Sequence, residues 1–339
     1  MFLSKLSNGT SYLFFFDELG IRRRVTTKCK LKSEATKFLQ NLKVSERERR
    51  LNRRRRLLSQ FKEDFVAYSR TLHTVKTQEC SDTAFRQFQE KVGDVPLHLV
   101  GVREIERFLS EKTSEASVWS ARKYYISLAS AFETARRWHL ISQNPFRQVQ
   151  KPKAPEIHPA YFKLHEFQKL LAFTPNEDFK ILCVCAVSTG LRLGELSALR
   201  WKDVDLSRKG IIVQNSHEFI TKSKENRVVP LNERPSKELA MRKEGSQFEL
   251  VFHRDGLKLE KDYVSKTFKK CVGDAELNAK LHFHSLRHTF ASWLVQDGVS
   301  LYEVQKLLGH SSISVTQVYS HLQPEGLHST VNRITIPMN

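Results

Sequence analysis

Three separated segments fix where helices begin and end in this chain, and they carry side chains that packing alone does not require. Leu307-Leu308-Gly309-His310-Ser311-Ser312-Ile313-Ser314-Val315-Thr316-Gln317-Val318-Tyr319 places a tyrosine nine residues after a histidine. Upstream stand His284-Ser285-Leu286-Arg287-His288-Thr289-Phe290-Ala291 and Thr189-Gly190-Leu191-Arg192-Leu193-Gly194-Glu195-Leu196. Arginine forks bind phosphate oxygens two at a time. Histidine shares protons near neutral pH. A tyrosine hydroxyl can form a covalent intermediate. Two arginines, two histidines and a tyrosine thus suffice to attack a phosphodiester without a metal.

Charge points the same way. The 339 residues carry +19 at pH 7, with a pI near 9.8, which favours a polyanionic partner, nucleic acid before membrane. Residues 1–60 hold 16 Lys and Arg against 5 Asp and Glu, so +11 lies in the first sixth of the chain. A merely solvated basic face is the ordinary alternative. Hydrophobic content of 40% indicates a folded chain with a real core, long enough for two or three domains. Five cysteines, Cys29, Cys80, Cys183, Cys185 and Cys271, show no disulfide framework and suit a reducing, cytoplasmic compartment. Cys183 and Cys185 lie in an apolar run that reads as a buried helix, not a metal site. Apolar runs such as Ile181–Val187 are too short to span a bilayer. Tyr12–Phe16 is no signal-peptide core, because Asp17 and Glu18 end it.

Turn and period signals divide the chain into a mainly α (α+β) protein. Residues 1–42 read as a small β-rich domain: strands over Ser11–Phe16 and Ile21–Lys28 about an Asp17-Glu18-Leu19-Gly20 turn, then a helix over Ser33–Leu42. Arg22, Arg23 and Arg24 interleave with aromatics there and suit nucleic-acid contact, although an ordinary hairpin with a charged edge has the same pattern. Residues 43–57 read as a basic linker helix carrying Arg53, Arg54, Arg55 and Arg56, which repel one another without a partner. Residues 58–152 read as helical, with helices near Phe61–Tyr68, Asp82–Val92, Val102–Ser110 and Ser117–His139. Lys151-Pro152-Lys153-Ala154-Pro155 is a proline-broken linker. Residues 158–325 read as helical with a strand-rich insert: Leu199–Asp205, Gly210–Gln214, Phe219–Thr221 and Arg227–Leu231. The tail, 326–339, contains Val331, Ile334 and Ile336 alternating with polar residues, as in a half-buried strand.

Each motif also has an ordinary reading. Thr189-Gly190 breaks the chain and starts a helix at Arg192, where the helix dipole supports a phosphate and Glu195 can orient the arginine. The same octamer could be a surface helix start. His284 and Arg287, three apart, share a helix face, and His288 either joins them or sits satisfied in the core. Read with His282 they suggest a metal site, but no carboxylate or cysteine stands at ligand spacing, and Arg287 is a hostile neighbour for a cation. Gly309 reads as a helix C-terminal turn, with a further helix over Ser312–Tyr319.

Taken together, the three motifs over residues 60–325 resemble the tyrosine recombinases of the phage integrase family. The resemblance implies an active site of Arg192, Lys222, His284, Arg287, His310 and Tyr319, with Glu195 and His288 in support. Lys222 lies seven residues before Val229-Pro230-Leu231, with Lys224 as the alternative. It also implies a β-rich arm-like domain, a helical core-binding domain and an α-rich catalytic domain, the last two closing round duplex DNA. In that chemistry Tyr319 forms a 3′-phosphotyrosyl link, the arginines neutralise the phosphate, and Lys222 protonates the 5′-oxygen. His284 assists proton transfer and His310 donates a hydrogen bond. Neither a metal nor ATP is called for.

The implied function is site-specific cutting and rejoining of double-stranded DNA by a homo-tetramer, in integration or excision of a mobile element. Accessory DNA-bending or directionality factors are the further partners to be expected. A Xer-like resolvase of chromosome dimers, a type IB topoisomerase and a non-catalytic DNA-binding relative are the rivals. The tail is expected to dock either on its own domain or on a neighbouring subunit.

Overall fold

The computed structural model describes residues 2–5, 10–16, 22–54, 56–214 and 226–323; within the first helix the side chains of 44–54 lie outside the description. Among the described residues no helix is long and apolar enough to cross a membrane. All five cysteines are free thiols. The chain is mainly helical with small antiparallel sheets, and it divides into two compact units, Met1–Glu156 and Ile157–Asn339.

The first unit opens with a three-stranded antiparallel sheet of β1 (Phe2–Lys5), β2 (Ser11–Phe16) and β3 (Arg22–Thr26). The first of these strands was not foreseen. Register sets Phe14 opposite Arg24 and Tyr12 opposite Thr26. Side chains alternate across a strand, so Tyr12, Phe14, Arg22 and Arg24 share one face while Leu13 is buried on the other. On the shared face Arg22 stands 4.9 Å over the Phe14 ring and Arg24 5.9 Å over Tyr12, as diagonal cross-strand pairs do. Helix α1 (Lys32–Arg54) follows. The expected helix and basic linker are thus one continuous element, because no Gly or Pro interrupts 32–54.

Four helices build the rest of this unit: α2 (Leu58–Ser69), α3 (Val75–Val92), α4 (Val102–Glu115) and α5 (Val118–Arg137). Helix α3 begins about two turns earlier than its apolar pattern suggests. Their core is aromatic. Phe61 meets Phe65, Phe85, Phe132 and Trp138 at ring separations of 5.9–6.1 Å. Each such pair adds about 1 kcal/mol beyond its buried area. Truncating Phe61 to Ala would cost about 3–5 kcal/mol. The unit closes where Asn144 caps the 3-10 turn Pro145–Gln148 and the Tyr125 hydroxyl donates to the Phe146 carbonyl at 2.9 Å.

The second unit is built on α7 (Glu177–Thr189), which follows α6 (Leu164–Ala172). Asn176 caps α7 by accepting from the Phe179 N–H at 2.8 Å. From Phe179 to Val187 nearly every side chain is buried, Cys183 and Cys185 included, as in a helix surrounded by protein. Burial pushes the Cys185 thiol up to about 12, so it is an inert core group. The one-turn α8 (Leu193–Leu196) leads to a sheet of β4 (Val204–Asp205), β5 (Gly210–Val213) and β6 (Arg227–Pro230). The middle of the strand expected over Leu199–Asp205 is instead a 3-10 turn, Trp201–Asp203. Helix α9 (Glu233–Glu244), an unforeseen hairpin of β7 (His253–Arg254) and β8 (Leu257–Lys258), and α10 (Lys261–Asp274) complete the outer layer.

Helix α11 (Ser285–Gln296) packs on α7, and α12 (Leu301–Leu308) follows, capped by Ser300 and Glu303. The helix expected over Ser312–Tyr319 is replaced by two 3-10 segments, Ile313–Val315 and Gln317–Leu322. Ser311, Ser312, Ser314, Val315, Thr316 and Val318 are poor helix formers, through side-chain competition for the backbone and β-branching. The expected strand at Phe219–Thr221, Lys222, Lys224 and the tail with Val331, Ile334 and Ile336 lie outside the described residues.

Candidate active site

Gly190 ends α7 in the left-handed conformation, φ +64°, which turns the chain back toward Arg192. A Cβ there would meet Phe290 Cδ1 at 2.5 Å, so only glycine allows α7 and α11 to approach this closely. Arg192 then caps α8 by geometry. Its N–H donates to Glu195 Oε2 at 2.9 Å and its Nη1 to Glu195 Oε1 at 3.0 Å. Since α8 is a single turn, its dipole is small, and the positive field here comes from side chains rather than from the helix end expected from sequence.

Those side chains include one that sequence reasoning missed. Arg227, at the start of β6, donates Nη2 to Glu195 Oε2 at 2.8 Å and Nη1 to Oε1 at 3.2 Å. Its Nε donates to the Leu307 carbonyl at 3.3 Å. Glu195 is therefore a 4%-exposed carboxylate shared by two guanidiniums. Burial alone would raise its pKa; the hydrogen bonds and charge of Arg227, then those of Arg192, outweigh that and hold it below the ordinary range. The one signal in sequence was an arginine directly before the β-prone Val-Val-Pro-Leu run.

Arg287 sits one turn into α11 and is 3% exposed. Its Nη1 donates to the Gly190 carbonyl at 2.6 Å and its Nη2 to the Leu308 carbonyl at 2.7 Å. These bonds occupy two of five N–H groups and leave three for another acceptor. Burial, then repulsion from Arg192 and Arg227, draws its pKa down to about 9. His284 is exposed at the start of α11, whereas Arg287, three residues on, is buried with its guanidinium on the Gly190 and Leu308 carbonyls. His284 instead neighbours His288, with ring centroids 5.0 Å apart.

Gly309, also at φ +64°, ends α12 and delivers His310. The His310 Nδ1 stands 2.9 Å from the buried Thr316 hydroxyl. Burial, followed by Arg287 and Arg192, pushes the His310 pKa down to about 3, so the ring is neutral. Tyr319 is 3% exposed, packed with Val295, Val304 and Leu308. Its hydroxyl lies 2.6 Å from His288 Nδ1. Burial raises its pKa to about 12, against the pull of Arg287. Beside His310 an open cleft of about 470 Å³ is lined by Arg227, Tyr302, Lys306 and Gly309.

The fold brings Arg192, Arg287, His284, His310 and Tyr319 together with Glu195, His288 and Arg227. Three guanidiniums against one carboxylate give the cluster +2 with its buried imidazoles neutral, which suits a phosphodiester whose charge grows from −1 to −2 during attack. Among the described residues no group of three His, Cys, Asp or Glu could hold a metal ion. Arg22, Arg23 and Arg24 are exposed on β3. Arg56 is not a free cation, because it pairs with Asp64. The side chains of Arg53, Arg54 and Arg55 lie outside the described residues.

Residues 161–325 match the sequence model of the Phage integrase family. Tyrosine recombinase XerC of Listeria innocua is 28% identical over 280 residues, covering 78% of this chain and 91% of the relative. Among solved structures, a lambda integrase dimer bound to a COC′ core site superposes with TM-score 0.68 at 18% identity, covering 99% of this chain and 97% of that one. The Tn1549 transposon integrase in complex with transposon right end DNA gives TM-score 0.69 at 20% identity, covering 82% and 99%. Both structural likenesses establish the fold. Motifs and family match agree: residues 161–325 form a domain of the Phage integrase family, in a chain similar over most of its length to tyrosine recombinases.

Proposed function

We propose that the protein integrates or excises a mobile element by site-specific cutting and rejoining of duplex DNA, with Tyr319 as nucleophile. The carrying observation is the Tyr319 hydroxyl set in a cluster of net charge +2 with Arg192, Arg227 and Arg287. The Tyr319 oxygen forms a bond to phosphorus and gives up its proton by way of His284 to solvent, the bond from phosphorus to the 5′-oxygen breaks, and Lys222 supplies the proton to that oxygen. One phosphodiester replaces another, so the step is reversible without ATP. Arg192 and Arg287 hold the non-bridging oxygens, with Glu195 orienting Arg192. With Thr316 donating to Nδ1 of a neutral His310, the proton on Nε2 is the one offered to phosphate. His284, exposed at the start of α11, assists proton transfer.

Exchange between two duplexes needs four strand cuts, and each chain carries one such tyrosine. A homo-tetramer on paired sites is the matching assembly, working in the cytoplasm on the nucleoid, with DNA-bending or directionality factors as further partners. The domain roles follow: arm-type DNA contact for 1–42, a basic link over 43–57, core-site binding for 58–152, chemistry in 158–325 and subunit coupling by 326–339. The basic sheet face with Arg22 and Arg24 favours integration over chromosome dimer resolution. The likeness to XerC is what favours the latter.

The test is a nicked suicide substrate that traps the covalent complex. Tyr319→Phe should bind it normally and give no denaturant-resistant adduct. An adduct formed by this variant at the wild-type rate would rule Tyr319 out.

A further inference from the structure

A ring nitrogen of His288 touches the tyrosine hydroxyl. Nδ1 lies 2.6 Å from the Tyr319 hydroxyl, while the phenyl ring is gripped by apolar neighbours on α11 and α12. Packing fixes the ring, but it cannot fix the O–H, which rotates about its C–O bond unless a partner holds it. His288 stands directly after Arg287, so the helix that anchors the phosphate-binding guanidinium also presents this partner.

The direction of the bond follows from the surroundings. Burial, then His284, His282, Arg287 and His310, push the His288 pKa down to about 3. Tyr319 keeps its proton to about 12. Both groups are therefore neutral near pH 7, and the phenol, the stronger donor, gives its hydrogen to Nδ1; the ring proton of His288 then resides on Nε2. A base that accepts a proton only near pH 3 does not take one from this phenol at rest.

We infer that His288 is a positioning residue for the nucleophile: it holds the Tyr319 O–H in one orientation, with the oxygen lone pairs turned away from the imidazole. The inference rests on the reading of Tyr319 as nucleophile. It assigns His288 neither contact with DNA nor a proton-transfer step. Its value to the reaction is alignment, since a misplaced nucleophile is slow even when the phosphate is correctly bound.

The test uses the full-length protein and the nicked suicide substrate under single-turnover conditions at saturating protein. His288→Ala removes the acceptor. His288→Asn keeps one, because its Oδ1 can stand where Nδ1 stood, but cannot titrate. His288→Ala should slow adduct formation by about 100-fold with unchanged DNA affinity. His288→Asn should recover most of that rate and keep the wild-type pH–rate profile. If Asn is as slow as Ala, the group at 288 must accept a proton, and positioning is overturned. A wild-type rate for Ala overturns any role. Should the Ala variant fail to fold by thermal melt, the Asn variant alone decides, a near-normal rate supporting positioning and a large loss overturning it. Tyr319→Phe, run alongside, keeps the two readings apart: an adduct from it sinks the nucleophile assignment itself, whereas no adduct from it with a fast Ala variant sinks only the role of His288.

Discussion

Arg227 grips Glu195 with both terminal nitrogens, at 2.8 and 3.2 Å, across 32 residues of sequence. The same carboxylate orients Arg192 at 3.0 Å, and the same guanidinium reaches the Leu307 carbonyl at 3.3 Å. One ion pair therefore ties the β5–β6 hairpin, the Arg192 turn and the end of α12 into a single frame.

Glu195 should make stability acid-sensitive in a definable window. Its folded-state pKa lies below that of the unfolded chain, so the stability it contributes is fully present above the unfolded value, about 4.3, and is lost as pH falls through the folded one. Glu195→Gln should cost about 3 kcal/mol at pH 7, as expected for removing one charge from a buried pair. Urea midpoints measured from pH 3 to 8 should show the gap between wild type and variant constant above about pH 5 and closing below about pH 4. A gap independent of pH would mean that the carboxylate is not held by this pairing.

Gly309 tests the frame from its other side. It needs φ +64°, and an added Cβ would stand 2.9 Å from Arg227 Cδ, a group already pinned by Glu195 and Leu307. Gly309→Ala should lose about 1–2 kcal/mol from the left-handed backbone alone, plus a further penalty for displacing Arg227. Combining it with Arg227→Ala separates the two terms: the second penalty should vanish in that background, visible as coupling between the mutations. Strict additivity would show that Gly309 does not press on Arg227.

Much of this site is legible in sequence because its parts are locally signalled. Gly190 and Gly309 mark helix ends, Asn176 marks a start, and the apolar run from Phe179 to Val187 marks a buried helix. Arg227 is not legible in that way, because its partners lie 32 and 80 positions away and only the fold brings them close. The orientation of Arg287 escapes sequence reasoning for a related reason. Spacing gives the position on the helix, but the buried carbonyls of Gly190 and Leu308 decide that the Arg287 guanidinium points inward. At Ser312–Tyr319 an expected helix lost to its own serines and β-branched residues, and the 3-10 path that replaces it sets the Tyr319 hydroxyl against His288.

The proposed role of Lys222 as the acid for the leaving group is decided by chemistry. Lys222→Ala should stall cleavage of an ordinary substrate by about 10²–10⁴-fold, the usual contribution of a positioned general acid. A 5′-thio leaving group departs without protonation and should restore the rate. Rescue confined to Lys224→Ala would move the role by two residues.

The N-terminal sheet offers the sharpest test of how the excess charge is used. Arg22 and Arg24 are exposed and braced over Phe14 and Tyr12 at 4.9 and 5.9 Å, which lowers the entropy lost when they meet phosphate. Residues 1–60 carry 16 basic and 5 acidic side chains, whereas Arg56 is already paired with Asp64 and belongs with α2. Deletion of 1–54 should therefore weaken binding to long attachment-site DNA while cleavage of a short core site survives. Every phosphate that the protein no longer neutralises should flatten the plot of log affinity against log salt by about 0.9. The double variant Arg22→Ala, Arg24→Ala should accordingly reduce the slope by about 1.8 if both arginines touch phosphate. An unchanged slope on long DNA, for the deletion as well as the double variant, would show that this face is solvated rather than bound.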